Sequence, residues 1–138
     1  MTTSAKQTLD QQRASDALAK IRGIAAANKN DGMYVSYVSA LPATIVMNGL
    51  GQALAIELAK ANKDKPNDSH RAIYQHVAGW LSRQVPNLSG DVDKFLDRLM
   101  KEDQATYVHA QAEAMAYLNW LKQFARAYLI ESKESGDD

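Results

Sequence analysis

Histidine side chains are the strongest candidates for metal binding or acid–base chemistry in this sequence, which contains His70, His76 and His109. His70 and His76 are six residues apart, so on a helix they point to different faces and meet neither the i, i+3 nor the i, i+4 spacing of a metal pair. His109 and Glu113 are four apart and can meet on a helix surface, but a di-metal site in a helix bundle needs several more carboxylates facing one core. We therefore predict a solvent-exposed His109–Glu113 pair and no metal site.

Two further patterns are typical of ligand-binding loops. Gly49 and Gly51 form a Gly-x-Gly pair, which lets backbone amides approach a phosphate, but neither a preceding strand nor a following Gly-Lys-Ser/Thr is present. The favoured interpretation is that both glycines allow a neighbouring helix or subunit to approach closely. Asp91, Asp93 and Asp97 suggest calcium, but the residues between them have the pattern of a buried helix and lack the loop glycine. We interpret them as surface charge near a helix start.

The sequence offers little support for thiol chemistry, for a serine nucleophile or for a buried catalytic cluster. The chain has no cysteine, which excludes disulfides, thiolate metal sites and thiol nucleophiles. No serine, histidine and aspartate fall within a recognisable nucleophile elbow. A small helix-bundle enzyme would need a buried polar cluster, and the pattern predicts none. We expect no catalytic residue, no metal and no cofactor, and we predict that the chain is not an enzyme.

The elements that position these residues are predicted to be helices. Hydrophobic residues make up 46% of the 138 residues, and runs rich in valine, isoleucine and threonine are few, which favours helix over sheet. Only residues 34–38 suggest a strand as an alternative. A chain of this length predicts one domain, which we assign to residues 1–130. Residues 131–138 form an acidic tail that is expected to be disordered, because it offers no apolar surface to offset its ordering entropy.

Helix boundaries follow from caps and breakers. Thr8 and Gln11 have the form of a capping box that opens a first helix running to about Asn28. Pro42 removes an amide donor, so we predict a short helix, a kink at Leu41–Pro42 and then a longer helix. Asp68 or Ser69 caps the next helix, and a helix after Ser89 turns Val92, Phe95, Leu96, Leu99 and Met100 inward. The prediction is an all-α, compact bundle of about five to six helices with a Pro-kinked second helix and a long C-terminal helix from Gln104.

Net charge argues against a free-standing nucleic-acid binder, because 16 Lys and Arg residues balance 16 Asp and Glu residues. Removing Lys133 and the four acidic residues of the tail leaves 15 basic against 12 acidic groups. The region 17–88 holds eight cations against four anions, a modest basic excess; the cations are Lys20, Arg22, Lys29, Lys60, Lys63, Lys65, Arg71 and Arg83. Lys122 and Arg126, four apart on the last helix, suit phosphate contact and ordinary solvation alike.

Four aromatic residues are candidates for base-stacking platforms. Trp80 and Trp120 lie in predicted apolar stripes, which favours core or subunit-interface anchors. The roles of Tyr34 and Tyr37 stay open. The N-terminus has no apolar core of a signal peptide, and no stretch approaches the roughly 20 apolar residues that cross a bilayer. The expected location is cytoplasmic, without membrane contact.

Two blocks of sequence resemble a known family. Residues 41–52 read LPATIVMNGLGQ, and residues 114–126 read AMAYLNWLKQFAR. Together they resemble the small, all-helical subunit of the type III-B CRISPR effector complexes, the Cmr ribonucleoproteins, whose members pair an Asn-Gly-Leu-Gly-Gln block with a late Leu-x-Trp-Leu-Lys helix. The residues that match are Leu41, Pro42, Asn48, Gly49, Leu50, Gly51, Gln52, Trp120, Leu121 and Lys122.

The resemblance implies a role rather than a reaction. It implies a non-catalytic structural subunit of a crRNA-guided, RNA-silencing complex in antiviral defence, stacked beside the backbone subunits and the large polymerase-like subunit and associating with further copies of itself. It also implies contact with crRNA and target RNA, for which the candidates are Arg22, Arg71, Lys122 and Arg126. Candidates for subunit-interface or close-packing contacts are Asn48, Gly49, Gly51, Gln52 and Tyr37. The alternative is a helical protein–protein interaction adaptor without RNA contact.

Overall fold

The computed structural model describes residues 6–27, 32–65 and 68–129, and these residues form six α-helices without a strand. The helices are α1 (Leu9–Ala27), α2 (Tyr34–Asn48), α3 (Leu50–Lys60), α4 (Ser69–Gln84), α5 (Phe95–Lys101) and α6 (Gln104–Tyr128). The predicted all-α bundle with a long C-terminal helix is therefore confirmed. The predicted acidic tail, residues 131–138, lies outside the described residues. None of the described helices combines the length and the apolar character that crossing a membrane requires.

The first helix begins as the capping box predicts. The amide of Thr8 donates to Oε1 of Gln11 at 2.9 Å, and the amide of Gln11 donates to Oγ1 of Thr8 at 3.0 Å. These two bonds satisfy donors that a helix start leaves without an intrahelical partner. From this start α1 runs along α6 and buries Ala17 and Ile21 completely.

The second segment breaks at Gly49, which is not where the sequence pattern predicts. Helix α2 continues through Pro42 to Asn48, and residues 34–38 belong to it, so the strand alternative is wrong. The predicted division into two helices at Leu41–Pro42 is also wrong, while a bend of α2 at Pro42 stays a prediction. Proline removes only one amide donor, whereas Gly49 adopts a φ of 87°, which ends the helix. The Gly49 amide closes α2 on the carbonyl of Ile45 at 2.7 Å, and its carbonyl accepts from Ala53 at 3.0 Å to open α3.

The connection between α3 and α4 is fixed by Asp68. Its carboxylate accepts the amide of Arg71 at 2.8 Å, which caps α4, and the amide of Asn62 at 3.0 Å, which ties down the preceding loop. Of the two residues predicted to cap this helix, Asp68 is therefore the one that does so. After α4, two 3₁₀ turns, Pro86–Leu88 and Val92–Lys94, lead into α5.

Helix α5 is short and buries one side only. Phe95 and Leu99 are buried as predicted, but the prediction that Met100 points inward is wrong, since it is 59% exposed. Met100 lies instead at the edge of the core, where its Cε comes within 2.7 Å of the position that a Cβ atom at Gly51 would take. Helix α6 is the central element and packs against α1, α2, α3 and α4. The largest fully buried side chains are Tyr34, Tyr74, Tyr117, Phe95, Ile21, Leu41, Ile45, Leu50, Leu54, Ile73, Leu81 and Leu88.

Candidate functional site

The junction between α2 and α3, which we call the glycine junction after Gly49 and Gly51, is held by side chains of α6. The amide of Leu50 donates to Oε1 of Gln111 at 2.9 Å, and the amide of Gly51 donates to the hydroxyl of Tyr107 at 2.8 Å. These are amides of the first turn of α3, which the helix itself leaves without acceptors. Because α6 supplies the acceptors from within the chain, these two amides do not point at an empty phosphate cradle.

Both glycines lie close to the same part of α6. A Cβ atom at Gly49 would lie 3.2 Å from the hydroxyl oxygen of Tyr107. At Gly51 it would lie 2.7 Å from Cε of Met100 and 3.3 Å from the Tyr107 hydroxyl. The missing side chains therefore let the start of α3 come within hydrogen-bonding distance of α6. The neighbour that approaches these glycines in the structure is a helix of the same chain.

The remaining interface candidates fall into two environments. Asn48 and Gln52 are exposed beside the junction, next to Val46 and Met47, which are 72% and 82% exposed. We call these four residues the junction rim. Tyr37 is different, because its ring stacks on His70 with 3.8 Å between ring centroids. The ring of Tyr37 therefore already packs within the fold, and the interface role of all these residues stays a prediction.

The four candidate RNA-binding cations lie on different parts of the surface. Lys122 and Arg126 are four residues apart on α6, roughly opposite Trp120, whose indole donates to Asp10 of α1 at 3.0 Å. These two cations therefore share a face of α6 that points away from α1. The other two are apart from them: Arg22 places its guanidinium 5.2 Å from the ring centre of Tyr128, and Arg71 lies in the first turn of α4.

A buried carboxylate at Glu113 contradicts the prediction of an exposed His109–Glu113 pair. Glu113 is only 6% exposed, and its two oxygens accept Nε and Nη2 of Arg13 at 2.7 and 2.8 Å. The indole of Trp80 donates to the same carboxylate at 2.8 Å. Burial by itself would raise the pKa of Glu113, but the bonds from Arg13 and Trp80 outweigh it, so the pKa is lowered. Glu113 is thus an ionised partner inside the bundle.

A second carboxylate, Asp16, accepts hydrogen bonds from side chains of three helices. It accepts the hydroxyl of Tyr117 at 2.6 Å, Nη2 of Arg83 at 2.5 Å and Nζ of Lys20 at 3.2 Å. Burial, and then the hydrogen bond to Asp16, raises the pKa of the Tyr117 hydroxyl far above its usual range. The ring of Tyr117 stacks on Trp80 with 5.1 Å between centroids, which links Asp16 to the Glu113 pair.

His76 and Tyr34 extend this polar cluster towards α2. Nδ1 of His76 lies 2.6 Å from the Tyr34 hydroxyl. Burial, assisted by the positive charge of Lys20, lowers the pKa of His76 to about 4, and burial raises the pKa of Tyr34. At neutral pH both groups are therefore uncharged and partnered with each other.

These contacts form three neighbouring groups on α1, α2, α4 and α6, which we together call the polar network and which the sequence pattern did not predict. The Trp80–Tyr117 stack lies between the Glu113 and Asp16 groups, and the charges of Lys20 and Asp16 act on His76 of the third group. The members of the polar network are Arg13, Asp16, Lys20, Tyr34, His76, Trp80, Arg83, Glu113 and Tyr117. The sequence contained one indication of this network, because Glu113 falls among the apolar positions Ala110, Ala114 and Tyr117 of α6. A charged residue inside an apolar stripe predicts a buried partner. The donors and acceptors satisfy one another, so the arrangement serves to fix the helices.

Comparison with known proteins finds a family whose sequence pattern matches the chain from α1 to α6. A family model described as CRISPR-associated protein (Cas_Cmr5) matches residues 9–128, the interval from the first residue of α1 to the last of α6. The chain belongs to the Cmr5 family. The resemblance to the small subunit of the type III-B Cmr complexes is thereby confirmed.

A solved structure agrees with this Cmr5 assignment. The X-ray crystal structure of a CRISPR-associated Cmr5 family protein from Thermus thermophilus is similar to this chain with a TM-score of 0.70 and 25% sequence identity. The similarity covers 89% of this chain and 98% of that one. The family match, residues 9–128, includes both sequence blocks, the glycine junction and the polar network. Membership of the Cmr5 family supports a subunit of a Cmr complex.

Proposed function

We propose that this chain is a non-catalytic structural subunit of a type III-B, crRNA-guided RNA-silencing ribonucleoprotein of the cytoplasm. The observation that carries the proposal is the Cmr5 match across all six helices, residues 9–128. In the proposal the subunit stacks along the backbone subunits, next to the large polymerase-like subunit and further copies of itself, and lines the channel of guide and target RNA. The proposed contribution is shape and a small number of cations.

The internal pairing of reactive groups supports a role without catalysis. Glu113, Asp16 and His76 each have hydrogen-bond partners within the fold. The fourth example is Glu57, whose carboxylate lies 2.8 Å from Nδ1 of His70. Groups held in this way stabilise the bundle, and a role as catalytic acid or base would require in addition that they reach a proton of the substrate.

Lys122 and Arg126 are the cations that we propose contact RNA backbone most directly, because they share one face of α6. Two cations per subunit bind phosphate weakly, but several copies along one RNA bind together with much greater strength. A neutral net charge is compatible with this role, since the affinity arises in the assembly. Arg22 and Arg71, on other faces, are secondary candidates for the same contact.

Charge reversal in an assembled complex tests the RNA contact. The double variant Lys122→Glu/Arg126→Glu should still enter the complex but bind target RNA more weakly, with a shallower dependence of log Kd on log salt. The slope should fall by about 0.7 for each phosphate contact that is lost. Lys94→Glu/Lys101→Glu is the matched control, since both lysines are exposed and lie on or next to α5. Equal RNA binding by both variants and the wild type would contradict the proposed contact.

The alternative is a protein–protein adaptor within the same complex, without RNA contact. The exposed junction rim favours it, because Val46 and Met47 place two apolar side chains in solvent beside the glycine junction. The double variant Val46→Ser/Met47→Ser should then reduce incorporation into the complex, while the charge reversals leave RNA binding unchanged. The two experiments together separate the candidates, since one reads RNA affinity and the other reads subunit stoichiometry.

A further inference from the structure

A groove of about 270 Å³ opens between the chain that leaves α4 and the first turns of α6, and we call it the α4–α6 groove. It is lined by Val85, Pro86, Asn87, Ala105, Thr106 and His109. One wall is rigid, because Val85 is 3% exposed and its amide donates to the carbonyl of Leu81 at 2.9 Å, and Pro86 begins a 3₁₀ turn. The groove therefore exists without rearrangement of the backbone.

Each wall of the α4–α6 groove carries both apolar and polar side chains. Val85, Pro86 and Ala105 supply apolar surface, whereas Asn87, Thr106 and His109 supply polar atoms. Nδ2 of Asn87 lies 3.4 Å from Oγ1 of Thr106, so the polar side chains of the opposite walls meet across the groove. An amide, a hydroxyl and an imidazole together present both donors and acceptors. Apolar walls with a few polar groups are the usual composition of a site for a small organic ligand.

The charges around the groove select against an anion. Its lining contains no lysine or arginine, and the carboxylate of Asp103 lies at the same end of α6, where it accepts the amide of Thr106 at 2.9 Å. A phosphate would meet this negative charge without a fixed cation opposite it. A neutral, planar ring with donors and acceptors along its edge suits the lining better. The volume, about 270 Å³, lies just below the roughly 300–1,000 Å³ of ligand pockets, which suits one ring system and nothing larger.

We propose that the α4–α6 groove binds a single unstacked nucleobase of RNA. Single-stranded RNA is recognised by bases that stack on aromatic or histidine rings while protein groups hydrogen-bond their edges. In this groove the imidazole of His109 stacks on the base, and Asn87 and Thr106 bond to its edge. The inference rests on the proposed function and deepens it, because it adds a base contact to the phosphate contacts of Lys122 and Arg126.

Titration of the purified full chain with single nucleosides tests the groove directly. Adenosine, guanosine, cytidine and uridine carry no phosphate, so they report the base contact without the backbone contact. We expect amide and side-chain NMR shifts at Asn87, Thr106 and His109, with the largest shifts for one or two of the four bases. His109→Ala should weaken binding on the order of tenfold, as expected when one stacking partner is lost. Thr106→Val should change the preference among bases, and Asn119→Ala, on the exposed side of α6, should leave binding unchanged.

Three results would overturn the inference. The first is the absence of shifts in the groove at millimolar nucleoside, and the second is equal affinity of His109→Ala and the wild type. The third is tighter binding of N-acetyl-tryptophanamide than of any nucleoside, which would make the groove a peptide site. Circular dichroism shows whether a variant has lost its helices. If a variant is unfolded, the difference in affinity of the wild type among the four nucleosides decides the question.

Failure of the groove and failure of the proposed function give different results. If the chain enters the complex and Lys122→Glu/Arg126→Glu weakens RNA binding while no nucleoside shifts the groove residues, the base contact is wrong and the function stands. If nucleosides bind the groove but the chain never enters a Cmr complex, the proposed function fails and the groove stands as a base site.

Discussion

The half-buried imidazole of His76 predicts a loss of stability under mildly acidic conditions. The pKa of His76 is about 4 in the folded chain, lowered from 6.5 first by burial and then by the positive charge of Lys20. Between these two values the unfolded chain binds a proton that the folded chain does not. The free energy of unfolding must therefore decrease as pH falls from about 6.5 towards 4, by at most about 1.4 kcal/mol per pH unit.

The size of the effect follows from the same two pKa values. Between pH 7 and pH 5 the linkage relation gives a decrease of about 2 kcal/mol from His76. This interval lies above the range in which most carboxylates titrate, so the histidine contribution is not mixed with theirs. A domain of this size has a total stability on the order of 5–15 kcal/mol, and a change of 2 kcal/mol is therefore measurable.

Urea unfolding followed by circular dichroism at pH 7 and pH 5 provides the measurement. His76→Asn removes the titrating group and keeps an acceptor for the Tyr34 hydroxyl, so its stability should differ by about 2 kcal/mol less between the two pH values than that of the wild type. Tyr34→Phe is the matched control, because it lowers the stability but keeps the His76 imidazole and hence the pH dependence. Equal pH dependence in His76→Asn and the wild type would refute the reasoning.

Three further predictions concern the polar network, the glycine junction and RNA. Glu113→Gln removes the buried carboxylate that pairs with Arg13, leaves only Asp10 as the anion of that guanidinium, and leaves one donor without an acceptor. It should lower the free energy of unfolding by about 3 kcal/mol, as measured in urea; a loss below about 1 kcal/mol would contradict the buried pairing. Gly49→Ala places a side chain at a φ of 87° and should lower it by about 1–2 kcal/mol, whereas Gly51→Ala, where the flexible end of Met100 can move, should lower it less. The purified chain should shift single-stranded RNA in a gel only at low salt, and a shift that persists at physiological salt would show that one copy binds without the assembly.

The sequence predicted the helices well where a local signal decides the boundary. The reciprocal bonds of Thr8 and Gln11 and the cap at Asp68 depend on residues within three positions of each other. The break at Gly49 depends instead on α6, since Tyr107 and Gln111 accept the amides that the start of α3 exposes. Both Pro42 and Gly49 are local breakers, and the contact with α6 stabilises the break at the second.

The polar network could not be predicted from the sequence, for the same reason. The pairs Arg13–Glu113 and Asp16–Tyr117 join residues 100 and 101 positions apart. No pattern within one helix indicates which distant helix will supply the partner. The sequence could show that Glu113 interrupts an apolar stripe, but the identity of its donors required the packing of α1, α4 and α6.

The network also changes how the charges of the chain should be counted. Lys20 and Arg83 belong to the basic excess of residues 17–88, yet both donate to Asp16. Reversing either charge would place an anion beside that carboxylate, so it would destabilise the fold before it reported on RNA. Lys122 and Arg126 stand on a different face of α6 from Tyr117, the residue through which this helix reaches Asp16. Charge-reversal variants in this family therefore report on RNA binding only at cations that lie on a helix face away from the polar network.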